Sequence, residues 1–136
     1  MSYPVSGKVR HYVPTDYPDD HPIIPHGMSV VLNAPAVFRF TAQSNPQLHL
    51  YAASLMGVDI SDARPEQAGD LLAGAVINLM RRCGIPNGLK AVGYTLQDIE
   101  VLVEGTLPQH RVTKLSPRPA TAVDLMQLFL DSMTIW

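Results

Sequence analysis

The chain has 136 residues, with 46% hydrophobic and 16% charged side chains and a formal net charge of −2. That length suits one domain with a sizeable core, and basic residues scattered apart from Arg81-Arg82 offer no phosphate-tracking stripe for nucleic acid. No apolar run reaches the roughly 20 residues of a membrane span; the single cysteine, Cys83, excludes an internal disulfide and fits a reducing compartment, on the simplest reading the cytoplasm.

Residues 1–22 carry Pro4, Pro14, Pro18 and Pro22 with Gly7 and are expected to form a proline-rich loop segment, because proline donates no amide bond and fixes its own dihedral. Met1-Ser2-Tyr3-Pro4 has neither the basic region nor the apolar core of a signal peptide. Residues 23–136 read as a helical domain. Its first helix is predicted from Pro25 to about Ala42, with Pro25 in the first turn and Pro35 kinking it or breaking it into two pieces. Within Met28–Phe40 only Ser29, Asn33 and Arg39 are polar, so this stretch is predicted to run through the middle of the fold.

Asn45 is placed to cap a short helix, Pro46–Met56, that ends at Gly57. Pro65 opens the cleanest amphipathic pattern, with Ala68, Leu71, Leu72, Ala75, Val76, Leu79, Met80 and Cys83 on one face and Gly84 as the stop. Ile85-Pro86-Asn87-Gly88 is turn chemistry, leading through a short helical or irregular piece at Leu89–Gly93. Thr95 with Asp98, and Thr121 with Asp124, resemble capping boxes and open helices at Leu96 to about Glu104 and Ala122 to about Met133. Between these, Thr106–Pro119 is expected to be an extended connection. With no strand signal, no repeat and no low-complexity tract, the fold class is all-α, a helical bundle.

Five histidines and a few basic residues are the candidates for chemistry. His26 stands at the mouth of an otherwise apolar helix, a position that packing alone does not explain. One imidazole cannot hold a metal against water, since useful sites need several converging ligands. His11 and His21 with Asp16, Asp19 and Asp20 could suggest a His/Asp cluster, although a solvated acidic loop is the better reading. His49 belongs to a surface or a helix contact. His110, Arg111, Lys114 and Arg118 are candidates for contacting an anionic substrate, arginine's planar fork suiting a carboxylate. Cys83 reads as a buried thiol with no base to activate it.

Pro25-His26-Gly27, Ala34-Pro35-Ala36-Val37-Phe38, Gly84-Ile85-Pro86 and Ser116-Pro117-Arg118-Pro119, in that order, resemble the C-terminal helical domain of the iron-containing (group III) alcohol dehydrogenases. Met1-Ser2-Tyr3-Pro4-Val5-Ser6-Gly7, Gly105-Thr106-Leu107-Pro108-Gln109 and Thr113-Lys114-Leu115-Ser116-Pro117 bring it nearest to the hydroxyacid-oxoacid transhydrogenase branch. The resemblance spans the whole chain. It implies an oxidoreductase in which a glycine-rich α/β domain binds NAD(P) and a helical domain helps to hold Fe2+, ligated by one aspartate and three histidines. The last of those histidines corresponds to His26.

In the intact family, hydride transfer through the nicotinamide would link a hydroxy acid such as 4-hydroxybutyrate to an oxo acid such as 2-oxoglutarate, with the metal polarising the reacting oxygen. The other three ligands would lie upstream of Met1, the second histidine of many branches falls at Tyr3, and no glycine-rich phosphate loop is present. The chain is therefore expected to be a C-terminal fragment, inactive alone and holding neither iron nor NAD(P) tightly. The expected partner is the nucleotide-binding domain or a separate chain carrying it, with homo-oligomerisation possible and neither nucleic acid nor membrane involved. The alternatives are a non-catalytic helical interaction module and one half of a split dehydrogenase.

Overall fold

The computed structural model describes residues 1–18 and 20–136. Among the described residues every regular element is helical. The α-helices are α1 (Ser2–Gly7), α2 (His26–Val31), α3 (Ala34–Ala42), α4 (Pro46–Leu55), α5 (Ala68–Arg82), α6 (Ile99–Thr106), α7 (His110–Thr113) and α8 (Ala122–Asp131). Single 3-10 turns precede α5 (Pro65–Gln67) and α6 (Leu96–Asp98), and another spans Leu89–Val92. No helix among the described residues is long and apolar enough to cross a membrane.

Proline fixes the break between α2 and α3. Pro35 has no N–H to offer the carbonyl of Val31, and its ring would crowd that carbonyl. The ladder slips at this point, with Leu32 N bonded to Met28 O at 3.0 Å but Asn33 N to Val30 O at 3.2 Å. Pro35 then sits in the first turn of α3, where no amide is required. The two pieces do not run wholly through the interior. Ser29, Leu32, Asn33, Pro35 and Ala36 are buried, whereas Val30 is 46% exposed, so the apolar stretch has an inner face on the core and an outer face on a cleft.

Helix α5 is the spine against which α3 and α4 pack. Its buried stripe is Ala68, Gly69, Leu72, Ala73, Val76 and Met80. Gly69 is required there, since a Cβ would stand 2.9 Å from Arg39 Cα on α3. Leu79 and Cys83, assigned to the apolar face from spacing, are both exposed. Cys83 is the C-cap of α5, where the chain is already leaving the helix direction and has left the packed face, so the expected buried thiol is not found.

Helices α6 and α8 pack together across the core from α3. Both begin at the threonine caps expected from sequence. Thr95 N and Oγ1 each donate to Asp98 Oδ2 at 2.8 Å, and Thr121 N and Oγ1 donate to Asp124 Oδ2 at 2.8 and 2.6 Å.

Two expectations about irregular chain fail. Ser2–Gly7 is helical despite Pro4, because proline in the first turn forfeits an amide that has no partner within the helix anyway. This helix packs on α2 and α6 and is tied down by Tyr94 Oη donating to Val5 O at 2.6 Å and Ser6 Oγ to Ile24 O at 3.0 Å. Thr106–Pro119 is not extended either. Thr106 closes α6, and the proline-free run His110–Thr113 winds one turn, α7, between Pro108 and Pro117.

Candidate functional site: a cleft headed by His26

The outer face of α2 and α3 forms one wall of a cleft of about 470 Å³. Val30, Ala34, Val37 and Phe38 make it apolar, Val112 and Thr113 of α7 contribute from another element, and Leu125 and Leu128 come from α8. The polar contributions include Tyr3, His26, Asn33, Thr106 and Ser116.

His26 is the first residue of α2, and extended Pro25 (φ −53°, ψ 145°) delivers the chain into it. Fully buried Ser29 donates from Oγ to His26 O at 2.8 Å, which holds the first turn and so fixes where the imidazole emerges. The ring is exposed, and the Tyr3 ring lies 5.9 Å from it, tilted by 37°. Arg111 Nη2 in turn donates to Tyr3 Oη at 3.2 Å. The starts of α1 and α2 thus place Tyr3 and His26 in the cleft lining, and exposed Arg111 of α7 bonds to Tyr3 from outside that lining. The single turn of α7, unforeseen from sequence, is what brings Arg111 to Tyr3.

The other basic candidates are elsewhere. Arg118 is committed to structure: its guanidinium stacks 4.0 Å from the Phe40 ring and donates to Phe40 O and Gln43 Oε1, each at 3.2 Å, pinning the segment before α8 to α3. Asp124 is held below the usual carboxylate range chiefly by its bonds from Thr121, with the charge of Arg118 adding to the effect. His110 and Lys114 are exposed and stand outside the cleft lining. His49 is a helix-packing residue, bridging Thr41 Oγ1 at 3.0 Å and Asn45 O at 2.9 Å with Phe38 edge-on to its ring.

His21 Nδ1 pairs with Asp20 Oδ1 at 2.7 Å in an exposed loop. Asp19, part of the same acidic group, lies outside the described residues. Among the described residues no three His, Cys, Asp or Glu side chains converge as a metal cage. Among the described residues the donors that would hold a divalent iron are therefore not gathered, and His26 stands in the cleft lining without a second His, Cys, Asp or Glu there.

Asn33 is not among the site residues expected from sequence. Its signal was a polar amide in the middle of an apolar run. It is 3% exposed, its Nδ2 donates to Ser29 O at 2.8 Å, and its Oδ1 is buried without a partner among the described residues.

Fold and cleft define an all-α domain that presents the His26 imidazole in the lining of a largely apolar cleft. Residues 8–133 match the C-terminal model of the Fe-containing alcohol dehydrogenase family, and the chain belongs to that family. A probable mitochondrial hydroxyacid-oxoacid transhydrogenase of Dictyostelium discoideum is 55% identical over 137 residues, covering 100% of this chain and 25% of that protein. Mitochondrial hydroxyacid-oxoacid transhydrogenases of Pongo abelii and Homo sapiens are 51% and 50% identical over 136 residues, again covering all of this chain and 29% of each relative. The chain thus spans between a quarter and a third of the length of these relatives. Among solved structures, 1,3-propanediol oxidoreductase superposes with a TM-score of 0.73 at 25% identity, covering 80% of this chain and 28% of that one. The cytoplasmic expectation is overturned by these relatives, which are mitochondrial proteins. A lone cysteine reports redox conditions and cannot say which membrane encloses them.

Proposed function

We propose that this chain is the helical part of an iron-dependent oxidoreductase of the hydroxyacid-oxoacid transhydrogenase kind, in which His26 is one ligand of a divalent iron. The remaining ligands and the nicotinamide seat come from a nucleotide-binding domain, either joined to these residues or carried by a separate chain. The observation that carries this reading is the position of His26 at the head of the cleft, with Tyr3 beside it and Arg111 bonded to Tyr3, in a chain that matches the family over residues 8–133.

The roles assigned to this chain's own residues are binding and orientation. The apolar wall of Val30, Val37 and Leu128 excludes water from the aliphatic part of a small hydroxy acid. Arg111 has N–H donors beyond the one given to Tyr3 and takes the carboxylate. Ser29 holds the turn that aims His26.

The test pairs the 136-residue chain with a separately expressed N-terminal portion of the Dictyostelium relative, under anaerobic ferrous iron, and measures oxidation of 4-hydroxybutyrate coupled to reduction of 2-oxoglutarate. Activity that appears only in the mixture is expected. His26→Ala should abolish it, and Arg111→Ala should raise KM about tenfold or more while leaving kcat largely intact, the loss of a charged hydrogen bond being uniform binding. Tight stoichiometric iron with turnover by the 136-residue chain alone would overturn the proposal.

A second reading, a non-catalytic helical module that associates with a partner or a second copy, has one observation in its favour. Leu48, Tyr51 and Leu55 lie on one face of α4 at 59%, 59% and 71% exposure. Light scattering that finds a clean monomer at high concentration argues against it.

A further inference from the structure

Asn33 stands where α2 gives way to α3, and the two halves of its amide have different fates. The donor half has a structural task. Because the main chain slips at Pro35, Asn33 N bonds Val30 O, and the side-chain Nδ2 reaches back to Ser29 O at 2.8 Å. That bond also fixes the orientation of the amide, since a flipped side chain would set oxygen against oxygen. The acceptor half has no such task. Oδ1 is buried, with no donor among the described residues, in a side chain only 3% exposed that belongs to the cleft wall. Native proteins seldom leave a buried acceptor unpaired, because the oxygen has surrendered its water and received nothing in exchange. Its neighbours in the wall, Val30, Ala34 and Val37, are apolar and supply no side-chain donor.

We infer that the cleft wall covering Asn33 Oδ1 parts slightly on ligand entry, so that this oxygen accepts from a neutral O–H or N–H donor on a small ligand in the cleft, which makes Asn33 a specificity-determining residue. A hydroxyl group satisfies the oxygen; an ether or a ketone of the same size leaves it orphaned, and a carboxylate is repelled by it. The acid end of a hydroxy acid is thereby turned away from Asn33, leaving Arg111 to receive it. The inference rests on the cleft being the small-ligand site of the proposed function, and it does not depend on the metal.

The experiment titrates the 136-residue chain with butan-1-ol and, separately, with methyl propyl ether, an isomer that lacks a donor, and follows amide and side-chain nuclear magnetic resonance signals of Val30, Asn33 and Val37. The alcohol is expected to bind about threefold to tenfold tighter than the ether, the range of one net hydrogen bond. A downfield movement of the Asn33 side-chain carbonyl carbon is expected with the alcohol only. In Asn33→Leu the preference should fall to within twofold while ether binding persists. The wild-type comparison and the carbonyl shift need no variant, so they stand even if Asn33→Leu fails to fold. Equal binding of the two isomers, as a permanently bound water on Oδ1 would give, overturns the inference; so does an undiminished preference in Asn33→Leu, or the absence of any shift at the cleft. Alcohol discrimination without activity in the reconstituted mixture would retain this inference and sink the proposed function, and the converse result would do the opposite.

Discussion

Asp98 shows how much one side chain is asked to do. It is 4% exposed, it accepts from Thr95 N and Oγ1 to start α6, and it takes Arg10 Nη2 at 2.5 Å from the segment after α1. Burial pushes its carboxyl up, but the Thr95 bonds together with Arg10 outweigh that and hold it below the usual carboxylate range. A depressed folded pKa means that the stabilisation is complete above the unfolded value, about 4, and is lost as pH falls through the folded one. Asp98→Asn is expected to lower stability at pH 7 by about 1–2 kcal/mol, the scale of a charged hydrogen bond. Urea midpoints measured between pH 2 and pH 6 should show wild type and variant converging at the acid end; a constant gap would refute this account of Asp98.

At the scale of elements, the turn after α5 and the chain end after α8 form a clasp. Leu89 N donates to Ser132 O and Lys90 N to Met133 O, at 2.9 and 3.1 Å, while Asn87 Oδ1 accepts from Ile135 N and Trp136 N. Gly88 makes this approach possible. Its φ of +76° with ψ of −176° is a conformation that essentially only glycine adopts, and a Cβ would stand 2.5 Å from Met133 O. Gly88→Ala should cost about 3 kcal/mol, combining backbone strain with overpacking; a thermal midpoint within 2 °C of wild type would contradict it. The sequence made the regular pieces readable where a cap or breaker announced them: Asn45, Pro65, Thr95 and Thr121 all open helices where expected. It failed where tertiary contact decides. The burial of α1 under Tyr94 and Ser6, the short turn of α7, and the outward turn of Leu79 and Cys83 depend on neighbours distant in sequence, which periodicity cannot report.

For the whole molecule, the family was legible from ordered motifs, whereas the approach of Tyr3 to His26 and of Arg111 to Tyr3 was not, because Arg111 lies more than 80 positions from both in sequence and all three are brought together only by folding. The resulting picture is of a helical domain with its own core and an apolar cleft whose chemistry, under the proposed function, is completed by a nucleotide-binding domain. One imidazole without convergent partners should bind ferrous iron weakly, and the same imidazole in a completed cage should bind it tightly. The most direct measurement is therefore anaerobic ferrous iron stoichiometry of the 136-residue chain, alone and mixed with the N-terminal portion of a relative, for wild type and His26→Ala. The expected result is no tight iron in the isolated chain, close to one iron per complex in the wild-type mixture, and loss of that iron with His26→Ala. One tightly held iron in the isolated chain, or full iron in the His26→Ala mixture, would contradict the role assigned to His26.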